Sequence, residues 1–287
     1  MALAVADKVA ADEPILTAET VSHFRRHGWV KLEKFFSPAD TETLRLASLS
    51  SMENPPDLAS AYERELGMRI EKRANARHWA KEKQEKVVLD ISQDLRLCYP
   101  EVNRIILSRE AGQKARELLG VDHVRLFQST YLNKPPESVG NKPTPWHQDS
   151  LLPVESREIV NIWVALVDVT PEMGPMKFLS GSHRLGPMSK ARFRVLDNPK
   201  EGLRADDLDV VGDIVSVPLK AGDAVAFYTQ TMHAADANFS EENRMAWSII
   251  WMDSENAWTG MPSNSRVDDV GLTLGAPFDH PLFPVIV

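Results

Sequence analysis

The chain has 287 residues, of which 43% are hydrophobic and 26% charged, a composition typical of globular proteins with an apolar core. Its formal net charge is −8, and its basic runs are as short as Arg25-Arg26 and Lys72-Arg73, which excludes the basic surface of a nucleic-acid-binding protein. No apolar run reaches the length of about 18 residues that a membrane helix needs.

Targeting and redox features are also few. Residues 1–14 lack the basic region and apolar run of a secretory signal. The single cysteine, Cys98, excludes a disulfide within the chain and suits a reducing cytosol. We therefore expect a cytoplasmic protein that binds a small-molecule substrate, with neither a nucleic acid nor a membrane as partner. The sequence carries no signature of an oligomeric state.

Helical patterns dominate the first 120 residues. The segment Thr17–Gly28 has apolar positions at helical spacing and ends at a glycine. Ser37-Pro38-Ala39-Asp40 combines a capping serine, a proline at the first helical position and an acid at the third, which predicts a helix start. Ser108–Leu119 predicts another helix, and Gly120 follows where a left-handed terminating residue belongs. Residues 52–86 are highly charged, and we expect surface helix and loop there that could cover a site.

From residue 121 onward the hydrophobic period changes to two, which is typical of strands. The predicted strands are His123–Tyr131, Ile159–Val169, Asp213–Leu219, Asp223–His233 and Arg244–Asp253. Turn-rich pieces such as Gly174-Pro175 separate them. Many short strands of this kind, preceded by helices, indicate a mainly β protein with flanking helices around a double-stranded β-helix, which is a jelly-roll or cupin-like core.

The two faces of the later strands differ in polarity. In Arg244–Asp253, one face carries Met245, Trp247, Ile249 and Trp251, and the other carries Arg244, Ala246, Ser248 and Ile250. In Ile159–Val169, Asn161 and Trp163 lie together, opposite Val160, Ile162, Val164 and Leu166. A strand with one apolar face and a charge or hydroxyl on the other can border a polar cavity, so we expect a barrel with a functional lumen.

We expect residues 1–287 to form a single catalytic domain. A helical part at about 15–120 would pack on a jelly-roll core at about 121–255, with a carboxyl-terminal tail at 256–287. The chain shows no internal repeat that would argue for more than one unit.

A candidate metal site lies in Thr144-Pro145-Trp146-His147-Gln148-Asp149. Side chains two positions apart on a strand project from one face, so His147 and Asp149 can bind the same ion. A third ligand, His233, would complete two histidines and one carboxylate on one face of the metal, the arrangement that non-haem Fe(II) oxygenases use. Each residue also has a plainer interpretation: surface residues for the triplet, a core histidine for His233 and a salt-bridged side chain for Arg244.

The joint pattern resembles the phytanoyl-CoA dioxygenase family of Fe(II)/2-oxoglutarate-dependent oxygenases. The matching pieces span residues 121–253, with a weaker echo in Phe24–Phe36. In order, they are Lys134-Pro135-Pro136, Thr144–Asp149, Trp163–Thr170, Gly174-Pro175-Met176, Ser180-Gly181-Ser182-His183-Arg184, Gly222-Asp223, His233, Asn238 and Arg244.

The resemblance implies a cofactor set and a role for each site residue. His147, Asp149 and His233 would hold Fe(II), and Arg244 would bind the far carboxylate of 2-oxoglutarate, with O2 as the second cosubstrate. A planar guanidinium suits this role because it grips a carboxylate through two parallel hydrogen bonds. Three further residues could contact the cosubstrate or line its pocket, namely Gln128, Thr144 and Trp163.

Three other positions refine the resemblance. His183 matches a structural turn of the family and is not a candidate ligand. Relatives often carry a serine two residues after the distal histidine, where this chain has Ala235, so one possible cosubstrate contact is missing. Asp149 disfavours halogenation, because related halogenases replace this carboxylate with a small residue.

The expected activity is oxidation of an unactivated C–H bond in a small organic metabolite of secondary metabolism, by hydroxylation, desaturation or oxidative rearrangement, with release of succinate and CO2. An acyl-CoA 2-hydroxylase is an alternative within the same class. A non-catalytic cupin-like binding protein is a rival, as is a zinc hydrolase that uses the same three ligands. The hydrolase would leave Arg244 without a purpose.

Overall fold

The computed structural model describes residues 13–68, 89–149, 153–155, 158–188, 196–261, 267 and 270–287. Its helices are α1 (Ala18–His27), α2 (Pro38–Glu53), α3 (Leu58–Leu66), α4 (Pro100–Ile106), α5 (Arg109–Leu119) and the short α6 (Ala205–Leu208). Its strands are β1 (Trp29–Leu32), β2 (Asp90–Gln93), β3 (Val124–Lys134), β4 (Thr144–His147), β5 (Ile159–Ala165), β6 (Met176–Leu179), β7 (Ile214–Val217), β8 (Ala224–Tyr228), β9 (His233–Ala235) and β10 (Arg244–Asp253).

The three predicted helices are confirmed, including the helix start predicted from the capping serine Ser37. The side chains of Thr17, Ser37 and Ser108 each accept a hydrogen bond from the backbone N–H three residues further on, which satisfies a helix-end donor. Gly28 and Gly120 end α1 and α5 in the left-handed conformation, with φ values of 80° and 72°.

The jelly-roll core is confirmed, and it is built from two antiparallel sheets. Within the described residues, one sheet has six strands in the order β1-β8-β5-β10-β3-β2, and the other has four in the order β4-β9-β6-β7. The non-sequential order places strands distant in the chain side by side. In particular, β10 lies between β5 and β3 and pairs with both along most of its length.

Helices cover the outer face of the six-stranded sheet. Apolar side chains of α1, α2, α4 and α5 pack there against the strand face that carries Met245, Trp247, Ile249 and Trp251. The Trp247 indole N–H also donates to the Ser48 hydroxyl of α2 at 3.0 Å. The opposite face turns toward the four-stranded sheet, where Trp163, Phe227 and Ala246 pack with Phe178 and Val217. The predicted division of strand faces is therefore confirmed.

The division into a helical first part and a strand-rich second part is wrong in detail. Strands β1 and β2 lie within the first 120 residues and form both edges of the six-stranded sheet. Both have only four residues, too few for a clear period. Strand β6 was not predicted either, because its sequence lies directly after the turn Gly174-Pro175.

The predicted strand Asp223–His233 is two strands. Residues 224–228 form β8, which pairs with β1 and β5, whereas 233–235 form β9, which pairs with β4 and β6 in the other sheet. The intervening Thr229-Gln230-Thr231-Met232 alternates in the same way as a strand but carries the chain from one sheet to the other.

The segment at 52–86 is partly core. In α3, Ala61 and Tyr62 are buried, and the Tyr62 hydroxyl donates to the carboxylate of Asp94, which is itself buried directly after β2. The predicted cover beyond residue 68 lies outside the described residues. None of the helices described is both long and apolar enough to cross a membrane.

Candidate active site

A cavity of about 330 Å³ lies between the two sheets, and it contains every site residue predicted from the sequence. The six-stranded sheet contributes Gln93, Gln128, Thr130, Asn161, Trp163, Arg244, Ser248 and Ile250, among others. The four-stranded sheet contributes Thr144, His147, Met176 and His233, and Asp149 follows β4. The cavity therefore has a wall from each sheet.

His147, Asp149 and His233 converge at one end of this cavity. One potential ligand atom from each lies within 4.8 Å of the other two, so the three could hold one metal ion. His147 Nε2 is 3.7 Å from Asp149 Oδ1, and His233 Nε2 is 3.8 Å from Asp149 Oδ2. The histidines meet because they are direct partners across the antiparallel pair of β4 and β9. Strand β4 ends at His147, so Asp149 lies just beyond it.

Backbone carbonyls orient both imidazole rings. His147 Nδ1 lies 2.8 Å from the Pro145 carbonyl oxygen, and His233 Nδ1 lies 2.9 Å from that of Thr231. A carbonyl oxygen can only accept, so each Nδ1 donates to it, and Nε2 is the ring nitrogen that could bind a metal. Ligating histidines are commonly fixed in this way by the group that accepts from the other ring nitrogen.

Asp149 is held by its backbone and by its side chain. Its N–H donates to the Thr229 carbonyl at 2.8 Å. The Asn161 amide donates to Asp149 Oδ2 at 3.2 Å, and Asn161 Oδ1 in turn accepts from the Ser248 hydroxyl at 2.8 Å. The serine therefore fixes the amide, and the amide fixes the carboxylate. The sequence indicated that Asn161 and Ser248 face a cavity but did not connect them to Asp149.

The residue between the candidate ligands His147 and Asp149 belongs to a different hydrogen-bond network. Gln148 is buried, and its amide donates to the carbonyls of Gly186 and Gln230 and accepts from the N–H of Met188. Three hydrogen bonds thus clamp the chain midway between His147 and Asp149.

Arg244 marks the other end of the cavity. Its side chain is buried, and burial lowers its pKa to about 10. The guanidinium donates to the Gly174 carbonyl and lies 5.3 Å from the Trp163 ring centroid, within cation–π range. Within the described part of the chain, no carboxylate lies within 4.0 Å of it, and its Nε has no hydrogen-bond partner. A buried cation in this state is prepared to bind an anion.

Gly174 allows this contact because its backbone passes very close to a neighbouring loop. A Cβ at this position, where φ is +66°, would lie 2.4 Å from the Asp236 carbonyl oxygen and 2.6 Å from that of Ala237. Only glycine fits there. The close approach of two backbone segments therefore explains the glycine in the motif Gly174-Pro175-Met176.

The remaining candidates also line the cavity. Thr144 accepts a hydrogen bond from Lys134 at 3.3 Å, and Gln128 donates to the Thr130 hydroxyl at 2.8 Å. Thr144 lies directly opposite Ala235 in the β4–β9 pair, so a hydroxyl is present beside the position where relatives carry serine. His183 stays away from the site: its ring stacks on Tyr228 and its Nε2 lies 3.1 Å from the Arg25 carbonyl oxygen.

One wall of the cavity was not predicted from the sequence. Leu89, Ile91 and Gln93, in and just before β2, line the cavity. Their alternation over five residues is the only signal that could have identified them, and the charged segment before them obscured it.

This fold and this site define an enzyme of the Fe(II)/2-oxoglutarate-dependent dioxygenase class. The family model described as "Phytanoyl-CoA dioxygenase (PhyH)" matches residues 24–246. The chain belongs to the phytanoyl-CoA dioxygenase family.

Individual relatives agree with this assignment. Phytanoyl-CoA dioxygenase domain-containing protein 1 of Danio rerio is 27% identical over 274 residues, covering 84% of this chain and 92% of that protein. The non-haem, alpha-ketoglutarate-dependent carbocyclase SnoK from nogalamycin biosynthesis superimposes with a TM-score of 0.70 at 25% identity, covering 96% of this chain and all of that one. The epimerase SnoN, crystallised with Fe3+, alpha-ketoglutarate and nogalamycin RO, gives a TM-score of 0.70 at 25% identity, covering 94% of this chain and 98% of that one.

Proposed function

We propose that His147, Asp149 and His233 bind the iron and that Arg244 binds the far carboxylate of 2-oxoglutarate. One observation carries this proposal: three potential ligand atoms converge at one end of a cavity whose other end holds a buried arginine without a carboxylate partner. The donor set fits ferrous iron, because two imidazoles and one carboxylate on one side leave positions open for a keto acid and oxygen.

The charges of such a complex balance. Ferrous iron and Arg244 supply three positive charges, and Asp149 and the dicarboxylate supply three negative ones, so no net charge is buried. The bound iron would activate oxygen with oxidation of 2-oxoglutarate to succinate and CO2. The chain's own residues bind the far carboxylate, fix the two ring tautomers and hold the carboxylate of Asp149 through Asn161.

We further propose that the substrate is a small organic metabolite that is oxidised at an unactivated C–H bond. The cavity volume of about 330 Å³ is near the lower end for ligand pockets and must also accommodate 2-oxoglutarate. Its lining also includes the apolar Leu89, Ile91 and Ile250 together with the amide of Gln93. This lining favours a compact molecule with apolar bulk over an acyl-CoA, whose cofactor portion would have to remain outside.

A role in secondary metabolism is supported by the likeness to SnoK and SnoN from nogalamycin biosynthesis. Those proteins are a carbocyclase and an epimerase, so related sites produce outcomes besides hydroxylation. We include desaturation and rearrangement within the proposed chemistry for this reason.

The test is an anaerobic titration of the metal-free protein with Fe(II) and 2-oxoglutarate, followed by oxygen admission and measurement of succinate. We expect succinate to form only when both are present, and Asp149→Ala to abolish it. Asp206→Ala, which removes an exposed carboxylate from α6, is the matched control and should retain activity. Full turnover by Asp149→Ala would refute the metal assignment. A lack of oxygen consumption across a broad substrate panel would favour the non-catalytic binding protein.

A further inference from the structure

Lys134 is a second buried cation beside the cosubstrate end of the cavity, and the roles assigned so far do not use it. It is the last residue of β3, its side chain is fully buried, and it is the direct cross-strand partner of Arg244 on β10. Like charges directly opposite one another in a sheet are destabilising. A fold that places a lysine and an arginine in this way bears a cost that a bound anion would remove.

The hydrogen bonds of Lys134 point toward the cavity. Among the described residues, its one acceptor is the Thr144 hydroxyl, 3.3 Å from Nζ, and Thr144 lines the cavity together with Arg244. An ammonium group can only donate, so the Thr144 oxygen must accept from it. The hydroxyl hydrogen of Thr144 is then directed away from Lys134 and is available to a ligand oxygen.

We propose that Lys134 is a positioning residue for 2-oxoglutarate: its ammonium form orients the Thr144 hydroxyl toward the carboxylate that Arg244 binds, so that cosubstrate binding takes up a proton. The proposal rests on the assignment of Arg244 as the carboxylate anchor. It adds a second positive charge at this end of the cavity and makes the affinity for 2-oxoglutarate depend on pH.

The charged groups around Lys134 explain why its protonation is coupled to 2-oxoglutarate binding. Burial, the Arg244 charge and the Lys177 charge on β6 lower the pKa of Lys134, whereas the Asp236 carboxylate after β9 raises it, and the pKa is about 7. On β2, Asp90 is bonded instead to Asn133, the neighbouring residue on the other face of β3. The nearby turns carry Glu137, Lys142 and Glu242, all of them exposed.

The direction of the pH effect follows from linkage. An arriving carboxylate favours the ammonium form, so the pKa of Lys134 is higher in the complex than in the free protein. Affinity for 2-oxoglutarate is therefore highest below about pH 7, falls as the pH rises from about 7 to the pKa of the complex, and is constant above it. Both carboxyl groups of the free cosubstrate are already ionised throughout this range.

Protonated Lys134 adds one positive charge to the anion end. The carboxylate of Asp236, which raises the pKa of Lys134, is itself bonded to Lys177. The far carboxylate would therefore face two buried cations, Arg244 and Lys134.

The experiment is calorimetric titration of 2-oxoglutarate into the Mn(II)-loaded protein at several pH values, in buffers with different ionisation enthalpies. Mn(II) avoids turnover and oxidation. For the wild type we expect uptake of up to about one proton between pH 7 and 8, and a roughly tenfold loss of affinity from pH 6.5 to 8.5, the span of one pKa unit of linkage. Lys134→Met should bind without proton uptake and with affinity nearly independent of pH. Thr144→Val should bind more weakly but retain some pH dependence.

Lys220→Met is the matched control, because Lys220 is exposed and bonded to Asp168 on the surface. It should match the wild type in affinity and proton uptake. Binding by the wild type without proton uptake, or unchanged uptake in Lys134→Met, would overturn the role of Lys134 while leaving the proposed function intact. Absence of 2-oxoglutarate binding by the metal-loaded wild type would instead overturn the proposed function. The wild-type measurement needs no variant, so misfolding of Lys134→Met cannot obscure it.

Discussion

The metal end and the anion end of the cavity prepare for their ligands in different ways. At the metal end, the side chains of His147 and Asp149 are 24% and 25% exposed, and backbone carbonyls or an amide orient every candidate ligand. At the anion end, Arg244 and Lys134 are 2% and 0% exposed and have neutral partners. His233 is buried like Arg244 and Lys134, so, before a ligand binds, water can solvate only His147 and Asp149 well.

This difference has an energetic consequence. Groups that are solvated or already hydrogen-bonded do not destabilise the free protein, so their contribution to binding comes mainly from their geometry. Buried cations with neutral partners reduce the stability of the free protein and recover that free energy when an anion binds. We therefore expect substitutions at the metal end to remove function with little change in stability. Substitutions at the anion end should weaken 2-oxoglutarate binding without a matching loss of stability in the free protein.

The largest effect is expected for His147→Ala. It removes a proposed iron ligand. Iron affinity and turnover should fall by more than about 100-fold, since even the partners of metal ligands are worth 10- to 100-fold. Stability should change little, because this side chain is partly exposed. Iron content per chain, succinate release and thermal unfolding measure these three properties. His123→Ala, an exposed histidine, is the control, and unchanged iron content in His147→Ala would contradict the assignment.

The next effect is expected for Arg244→Met. Loss of one partner of a buried, hydrogen-bonded charge pair costs about 2–5 kcal/mol, so affinity for 2-oxoglutarate should fall about 30-fold or more. Without 2-oxoglutarate, the free energy of unfolding should change by less than about 2 kcal/mol, because relief of a buried charge offsets the lost bond to Gly174.

Thermal unfolding with and without 2-oxoglutarate tests both statements on Arg244→Met. The cosubstrate should raise the melting temperature of the metal-loaded wild type and not that of the variant. Arg104→Met, which removes a mostly exposed guanidinium bound to Asp40, is the control. A large loss of stability in the free variant would mean that Arg244 is a structural residue, and the contrast between the two ends would fail.

The sequence predicted side-chain faces better than it predicted sheet membership. Alternation is a local property, so the polar face of β10 and the cavity side of Asn161 could be read directly from the chain. The break between β8 and β9 could not, because Thr229-Gln230-Thr231 keeps the same alternation while the backbone crosses between sheets. Only the partners reveal that crossing: β1 and β5 before it, β4 and β6 after it.

In the candidate site, too, the sequence predicted local patterns but not the contacts between distant strands. His147, Asp149, His233 and Arg244 could be proposed as site residues because their residue types and spacing form a known pattern. Lys134 lay in a matching motif but had no predicted role, since its burial and its pairing with Arg244 depend on the register of β3 against β10. The contribution of β2 was missed because four residues carry too little periodicity.

A smaller effect at the metal end is expected for Asn161→Leu. This change keeps the side-chain size but removes the amide that donates to Asp149 Oδ2. Iron affinity should fall by about 10- to 100-fold, the usual effect of losing a partner of a metal ligand. Affinity for 2-oxoglutarate should be unchanged once metal is saturating, because Arg244 is untouched. Equal losses for iron and cosubstrate would show that the two ends are not independent.

The smallest effect is expected for Ser248→Ala, which acts on Asp149 only through Asn161. The Ser248 hydroxyl donates to Asn161 Oδ1 at 2.8 Å, and loss of one such hydrogen bond costs about 1 kcal/mol, or about fivefold in iron affinity. If the serine works only by fixing the amide, Ser248→Ala should have no further effect when Asn161 is already leucine. A double-mutant cycle on iron affinity measures this, with a coupling close to the whole effect of Ser248→Ala. Additive losses would instead mean that Ser248 contacts the metal end by another path.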